Sequence, residues 1–364
     1  MRADDTFTGA PHERSRMSFS VTVQPSGRIF EVDRDEPVLL AAIRQGIGLP
    51  YGCKDGACGS CKCRLLEGRV IHGTHQAKAL SDAEEAAGLM LSCRAAAQTD
   101  LVIEARTVPG LGEFPVRKLP TRVSRVDRPA PDVAVLTMQL PANDQFMYKA
   151  GQYVEFILRD GDRRSYSIAN APHRQRELIG NEQPAIELHL RHMPGGKFTD
   201  HVFSTLKARD ILRIEGPFGS FFLREDHDQP VVLLASGTGF APIKAMIEQM
   251  EHKAMGQPML LYWGCRSRID LYQHDWALAA EQRLPQLRYI PVLSDARPED
   301  EWQGRTGLVH QAVMADRPVL AGFEVYACGA PVMVDAAQRD FTTRCGLPES
   351  AFYADAFTSE ADKH

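Results

Sequence analysis

The spacing of hydrophobic residues along this chain changes character twice. Residues 18–106 mix short alternating runs with two amphipathic segments, whereas residues 119–223 contain almost only alternating runs. After residue 229, short apolar runs take turns with longer amphipathic segments. A period of two predicts strands, and a spacing of three to four predicts helices. The pattern therefore predicts three structural units of different class.

The first unit, residues 18–106, is predicted to form a β-grasp domain. Two alternating runs joined at a turn predict a hairpin, and a short helix is predicted to begin at Pro37 and to end at Gly46. The predicted strands are 19–24, 28–32, 62–68 and 100–105, with a second helix near 81–87. Residues 107–118 contain Pro and Gly without periodicity and are predicted to be a linker.

The other two units differ in how strands and helices succeed each other. Residues 119–226 carry strand-like runs separated by turns, which predicts a small antiparallel barrel with one helix. Its predicted strands are 132–140, 151–158, 164–170, 185–193 and 210–219, and its helix is 198–206. Residues 227–364 alternate strands with helices, which predicts a parallel α/β domain with a nucleotide-binding crevice at its switch point. The expected fold class is thus multidomain, α+β followed by α/β.

The composition limits the partners and the compartment. The 364 residues include 42 Lys and Arg against 47 Asp and Glu, a net charge of −5, which argues against nucleic acid as the main partner. No apolar run approaches the 18 or so residues of a membrane span. Residues 1–17 are polar, lack the apolar stretch of a secretory signal, and are predicted to be a disordered extension. We therefore expect a cytoplasmic protein, whose clustered cysteines bind metal rather than form disulfides.

Four of the eight cysteines have the spacing of a metal centre. Cys53, Cys58 and Cys61 lie in a glycine-rich loop, and 31 residues separate Cys61 from Cys93. This C-x4-C-x2-C…C pattern is typical of plant-type [2Fe–2S] centres, which are held by four thiolates. Structural zinc is the alternative, but zinc modules usually offer two C-x2-C pairs and this chain has one. The cysteines predicted to be buried core residues are Cys63, Cys265 and Cys345.

Two short motifs in the barrel indicate a flavin. Arg164, Tyr166 and Ser167 supply a cation for a pyrophosphate, a flat aromatic ring and a hydroxyl group. Further along, the residues 194–199 (PGGKFT) open a predicted helix, whose N-terminal N–H groups can bind phosphate. The alternative for this second motif is a simple turn with a helix cap. The two motifs in this order favour a flavin site.

Two glycine motifs in the third unit indicate a dinucleotide. Residues 236–242 (SGTGFAP) follow a buried strand and precede a helix, which suits a pyrophosphate at the helix N-terminus. They depart from G-x-G-x-x-G because Pro242 occupies the third glycine position. Residues 328–331 (CGAP) end a later strand at the same edge of the sheet, where ligands bind in open α/β folds. The alternative for this motif is a strand-to-helix turn with a buried cysteine.

The order of the three units and their motifs resembles the ferredoxin–NADP⁺ reductase superfamily, in the subgroup with an N-terminal plant-type ferredoxin domain. Within it, several stretches resemble the CDP-6-deoxy-Δ3,4-glucoseen reductases: 51–62, 163–172, 212–222, 261–264, 307–313, 325–330 and 352–357. The reductase components of aromatic-ring oxygenases share the same layout and most of the short motifs. The shared motifs therefore leave the electron acceptor open.

The resemblance implies a role for each matching residue. The implied cluster ligands are Cys53, Cys58, Cys61 and Cys93. The implied FAD-binding residues are Arg164, Tyr166 and Ser167, with Arg191, Gly195, Gly196, Lys197 and Thr199 near the ribityl chain and pyrophosphate. The implied nicotinamide nucleotide site comprises Gly237, Thr238, Gly239, Arg266, Cys328, Gly329 and Met333. The implied catalytic residues are Ser167, Cys328 beside the nicotinamide ring, and Phe357 in the C-terminal segment that can cover the flavin.

The function implied is that of an electron-transfer reductase. Electrons would pass from NADH or NADPH through FAD and a [2Fe–2S] cluster, one at a time, to an oxygenase or a deoxysugar dehydrase. A free-standing flavin or quinone reductase is the alternative, and a non-enzymatic redox sensor is disfavoured because a sensor needs neither nucleotide motif. Arg266 and Arg268 suit a 2′-phosphate but equally suit solvent, which leaves the choice between NADH and NADPH open, although the overall resemblance favours NADH.

Overall fold

The computed structural model describes residues 18–180 and 182–357, so the predicted extension 1–17 lies outside the described residues. In the described part, the strands form one five-stranded sheet, two six-stranded sheets and one two-stranded sheet. The first large sheet is mixed, the second is antiparallel and the third is parallel. These sheets confirm the predicted fold class.

The first domain is a mixed sheet packed against one helix. Its elements are β1 (Ser18–Gln24), β2 (Arg28–Asp33), α1 (Val38–Arg44), β3 (Lys62–Glu67), β4 (Val70–His72), α2 (Asp82–Ala86), β5 (Leu89–Leu91), β6 (Ala95–Ala97) and β7 (Leu101–Glu104). The strand order is β2-β1-β7-β3-β5, and β1 and β7 run parallel as in a β-grasp. Helix α1 buries Val38, Leu39, Ala41 and Ala42 because apolar residues recur on one side of it.

The second domain is a closed antiparallel barrel. Its elements are β8 (Arg117–Ala130), β9 (Val133–Gln139), β10 (Tyr153–Ile157), β11 (Arg163–Ser167), β12 (Ala185–Arg191), α3 (Lys197–Ser204) and β13 (Ile211–Phe218). The strand order is β11-β10-β13-β8-β9-β12. An antiparallel bridge between Ile168 and Leu188 joins the two ends of this sheet, and this bridge closes the barrel.

Strand β8 differs from the sequence-based expectation. It is the longest strand of the barrel and begins at Arg117, inside the predicted linker 107–118, yet the sequence pattern does not reveal it. Five basic residues and two prolines within its 14 residues obscure the alternation. Of its first half, Leu119, Thr121 and Val123 are buried. The strand exists because β9 and β13 pair with it on both sides.

The third domain is a parallel sheet with helices on both faces. Its elements are β14 (Val231–Ser236), α4 (Phe240–His252), β15 (Met259–Cys265), α5 (His274–Arg283), β16 (Leu287–Leu293), β17 (Arg305–Thr306), α6 (Val309–Asp316), β18 (Glu324–Gly329), α7 (Pro331–Arg344) and β19 (Phe352–Ala356). The strand order is β17-β16-β15-β14-β18-β19, with the switch point between β14 and β18. The sequence pattern does not reveal the edge strands β17 and β19, since two to five residues carry little periodicity.

The helices of the described ranges are short. The longest, α7, has 14 residues, whereas a bilayer span needs about 20 apolar residues. No helix within residues 18–180 and 182–357 is long and apolar enough to cross a membrane.

A buried ionic network joins the barrel to the parallel sheet. The Lys244 ammonium on α4 lies 3.2 Å from Glu187 on β12 and 2.8 Å from Glu248, and it donates to the carbonyl of Ala169. Burial raises the pKa of Glu187, but a hydrogen bond from His189 and the charge of Lys244 outweigh it and bring the pKa to about 2. The network holds α4 at one position on the barrel because each buried charge has its partner.

We expect Lys244→Met to destabilise the protein by about 3 kcal/mol, because two buried carboxylates lose the cation that contacts both of them. The matched control is Lys253→Met, since Lys253 makes only an exposed ion pair with Glu225 at 3.3 Å. That exposed pair contributes about 1 kcal/mol or less. Thermal unfolding of both full-length variants measures the difference, and equal losses would contradict a structural role for the buried network.

Candidate functional site

Three of the four predicted cluster ligands, Cys53, Cys58 and Cys61, lie on a tight loop between α1 and β3. Gly56 and Gly59 have φ values of +84° and +78°, a conformation that glycine adopts without steric cost. The loop brings Cys53 and Cys58 together, and the backbone N–H of each donates to the sulfur of the other at 3.4 Å. Such N–H···S bonds stabilise negative charge on thiolate ligands.

Cys61 and Cys93 form the second pair of thiols at the same place. Cys93, just after β5, forms a hydrogen bond with Cys61 and interacts electrostatically with Cys53 and Cys58. Hydrogen bonding within each pair lowers the pKa of Cys58 and Cys61 and raises the pKa of Cys53 and Cys93. Four thiols that converge at one place fit a [2Fe–2S] cluster, whose ligands are four thiolates.

Three other cysteines lie in the hydrophobic cores. Cys63 is buried on β3, and burial raises its pKa to about 12. Burial likewise raises the pKa of Cys265 to about 12, while Cys345 is buried behind the parallel sheet. Within residues 18–180 and 182–357, no three His, Cys, Asp or Glu side chains have the geometry of bound metal ligands, and the four converging thiols are instead hydrogen-bonded in pairs. The assignment of Cys53, Cys58, Cys61 and Cys93 therefore stands on their spacing and mutual contacts.

Strand β11 carries the predicted flavin residues at one end of the barrel. Tyr166 packs against Phe156 and Phe198, with ring centroids 5.8 and 5.6 Å away, and these contacts fix its ring. Ser167 is buried and forms a hydrogen bond with Asp355. The Arg164 guanidinium donates to the carbonyl of Arg163 and lies 3.5 Å from Asp162.

The start of α3 is already rich in internal hydrogen bonds. The N–H of Gly195 donates to Asp200, and the Thr199 hydroxyl donates to the carbonyl of Met193. Gly196 is the residue that caps this helix. Lys197 is exposed and pairs with Asp160 and Asp162 at 2.8 and 2.7 Å. A phosphate at this helix would have to compete with these partners.

Arg191, at the end of β12, offers a better place for an anion. Its Nη2 atom is buried without a hydrogen-bond partner among the described residues. A Cβ atom added at Gly237 would lie 3.4 Å from that guanidinium group, so the arginine faces the glycine loop of the third domain. A buried arginine nitrogen without a partner fits the pyrophosphate of a dinucleotide.

Two glycines let β14 and β18 end close together. A Cβ atom at Gly239 would lie 2.2 Å from the carbonyl oxygen of Cys328, and one at Gly329 would lie 2.2 Å from Oγ of Ser236. Any larger residue would push the two strand ends apart. Trp263 donates to the carbonyl of Gly237 at 3.0 Å and so holds the loop. The predicted nucleotide motifs thus meet at the switch point of the sheet.

Asp355 lies where the three domains meet. It is not among the site residues predicted from the sequence. Strand pairing places it beside Cys328, and it bonds Ser167. A Cβ atom at Gly52 would lie 3.8 Å from its carboxylate. Burial, reinforced by the nearby Cys58, raises the pKa of Asp355 to about 7. The sequence offered one indication of this residue, because Asp355 is a carboxylate within the largely apolar stretch 352–357. The residues around its side chain, however, are determined by the tertiary structure.

The remaining predicted residues lie at varying distances from this junction. The N–H of Phe357 donates to the carbonyl of Gly329 at 2.8 Å, which ties the C-terminal segment to the switch point. Thr238 is buried in the glycine loop, and Met333 is buried on α7. Arg266 is exposed just after β15.

Three family models match the chain in the predicted order. They describe a 2Fe-2S iron-sulfur cluster binding domain over residues 21–98, an oxidoreductase FAD-binding domain over 120–223 and an oxidoreductase NAD-binding domain over 233–339. These matches confirm the predicted cofactors, a [2Fe–2S] cluster, FAD and NAD(P)H.

Several characterised proteins are similar over nearly the full length. The CDP-6-deoxy-L-threo-D-glycero-4-hexulose-3-dehydrase reductase of Yersinia pseudotuberculosis is 40% identical over 94% of this chain and 99% of its own. The phenol hydroxylase P5 protein of Acinetobacter pittii is 35% identical over 95% of this chain and 96% of its own. The Amycolatopsis cytochrome P450 reductase GcoB, a crystal structure, superposes with a TM-score of 0.77 at 33% identity, covering 94% and 99% of the two chains.

We expect Cys58→Ala to abolish cluster binding, whereas Cys63→Ala retains it. Cys58 is one of the four converging cysteines, while Cys63 is a core residue whose loss removes only packing. Iron content and the visible spectrum of the purified full-length variants distinguish the two. Retention of about two irons per chain by Cys58→Ala would remove Cys58 from the ligand set.

Proposed function

This chain belongs to the iron–sulfur flavoprotein reductases that join a [2Fe–2S] domain to FAD- and NAD-binding domains, and we propose that it delivers electrons to a separate deoxysugar dehydrase component. It is an NAD(P)H-dependent oxidoreductase. The proposal concerns the acceptor and the residues that position the reaction.

The residues at the junction support electron transfer within one chain. When bound, FAD accepts a hydride from the nicotinamide and the cluster carries single electrons, which together convert two-electron into one-electron transfer. Ser167 is held in one orientation by Asp355, and Cys328 lies beside Asp355 on the neighbouring strand. Burial raises the pKa of the Cys328 thiol well above its usual value, so it stays protonated and adds no charge where the nicotinamide would lie. Phe357 is held by Gly329 next to them.

The observation that carries the electron relay is the position of Asp355 between the cysteine loop and the flavin strand. A Cβ atom at Gly52 would lie 3.8 Å from the Asp355 carboxylate, which also forms a hydrogen bond with Ser167. One buried side chain therefore spans the gap between the cluster loop and the flavin site. This proximity suits a relay in which the cluster is reduced inside the same chain, and it argues against a flavin reductase that works without its cluster.

The dehydrase is favoured as acceptor by the degree of similarity. The dehydrase reductases of two Yersinia species are 40% identical to this chain, and Salmonella protein RfbI is 36% identical. An oxygenase is the second candidate, because oxygenase reductase components at 33–35% identity share the full length as well.

The relay is tested by comparing two artificial acceptors with full-length wild type and Cys93→Ser. Ferricyanide accepts electrons directly from flavins, whereas cytochrome c reduction should need the cluster. We expect the variant to keep NAD(P)H:ferricyanide activity and to lose cytochrome c reduction by tenfold or more. Equal cytochrome c reduction by both proteins would show that the cluster is not part of the path.

The acceptor is tested by adding purified components. We expect NAD(P)H oxidation to require both a CDP-6-deoxy-hexulose dehydrase and its sugar substrate. If only a phenol hydroxylase oxygenase component with phenol supports turnover, the acceptor is an oxygenase and the dehydrase assignment is wrong.

A further inference from the structure

Lys54 occupies an unusual position in the cysteine loop, directly after Cys53. Its φ value of +66° lies in the left-handed region that favours glycine. Its side chain is nevertheless buried, with 12% of it exposed. A lysine at this position lowers the stability of the fold in two ways, because its backbone is strained and its charge is removed from water. Strong contacts of the ammonium group must offset both costs.

Among the described residues, the ammonium group of Lys54 contacts the barrel and not the domain that carries it. Its Nζ atom lies 2.9 Å from Oε1 of Glu155 on β10, whose side chain is 6% exposed. The same atom lies 3.3 Å from the centroid of the Phe218 ring on β13. An ion pair and a cation–π contact in a desolvated place are each stronger than their exposed equivalents. The side chain of Lys54 thus links the cysteine loop to the barrel.

The charge balance of the barrel includes this lysine. Arg163 on β11 pairs with Glu155 at 3.0 Å and also with Glu215 on β13. Glu215 has a further cation in Lys118 at 3.7 Å, whose side chain is largely exposed, whereas Lys54 is the second cation that contacts the buried Glu155. Without Lys54, Glu155 would be left with Arg163, which it shares with Glu215.

The backbone next to Lys54 is bonded to the barrel as well. The Tyr153 hydroxyl donates to the carbonyl of Gly52 at 2.8 Å, and the Ser220 hydroxyl donates to the carbonyl of Tyr51 at 2.8 Å. The rings of Tyr153 and Phe218 belong to the hydrophobic core of the first domain although both residues lie in the barrel. The contact is thus a packed interface that includes a buried ion pair.

We propose that Lys54 is a positioning residue that locks the [2Fe–2S] domain onto the flavin barrel, so that electrons cross from flavin to cluster in this docked arrangement. This inference rests on the proposed electron relay. It goes beyond it by assigning the docked state to one ion pair, Lys54–Glu155, and by excluding a domain that swings freely on its connection at residues 107–116.

The test compares Lys54→Met, Glu155→Gln and the double variant with wild type, all as full-length holoprotein. Lys62→Met is the matched control, because Lys62 lies in the same region and its 2.6 Å ion pair with Glu84 stays inside the first domain. Small-angle X-ray scattering measures the radius of gyration. Stopped-flow absorption separates flavin reduction by NAD(P)H from the later reduction of the cluster.

We expect both single variants to increase the radius of gyration and to slow cluster reduction about tenfold or more, with flavin reduction unchanged. The double variant should be no slower than the slower single variant, because both remove the same interaction. The control should match wild type in both measurements. If Lys54→Met contains less iron than wild type, Glu155→Gln decides the question, since it leaves the cysteine loop intact.

An unchanged radius of gyration and unchanged cluster reduction in Glu155→Gln would overturn the inference. The same effects in Lys62→Met would overturn it too, because they would come from any lost charge in this domain. If the proposed function were wrong instead, wild type would be compact and would reduce its cluster, but it would not reduce the acceptor.

Discussion

The contact between residues 51–54 and the barrel is the constraint on which the arrangement of this molecule depends. Two hydroxyl groups of the barrel bond the backbone there, and Lys54 adds a buried ion pair. Because the same stretch leads into the cysteine loop, fixing it also fixes the loop relative to β11. The distance between the two redox sites is therefore determined by backbone contacts and does not depend on the length of a tether.

The two interfaces of the barrel with its neighbouring domains each contain a buried lysine. Lys54 pairs with Glu155 between the first and second domains, and Lys244 pairs with Glu187 between the second and third. A buried ion pair adds little net stability compared with apolar packing, but its partners must meet in one geometry. The two lysines therefore contribute chiefly to the relative orientation of the domains, while the apolar cores provide most of the stability.

The C-terminal strand completes the site although it lies at the edge of its sheet. Strand β19 pairs with β18, and this register places Asp355 opposite Cys328 and next to Ser167. The parallel sheet thus contributes to the flavin site from its last strand, as well as to the nucleotide site from its switch point. The three domains are coupled at one buried carboxylate because the edge strand reaches across to the barrel and the cysteine loop.

The sequence alone determined the local chemistry of this protein. The cysteine spacing, the R-S-Y-S strand and the two glycine motifs could be identified because turns, caps and strand periodicity depend on neighbours a few residues apart. Sequence analysis missed features that depend on distant partners. Strand β8 is polar and is held by the strands on its two sides, and Gly52 bonds Tyr153, 101 residues away. The roles of Lys54 and Asp355 were likewise decided only by the tertiary structure. The burial and the polar partners of these side chains come from residues that are distant in sequence and that folding brings into contact with them.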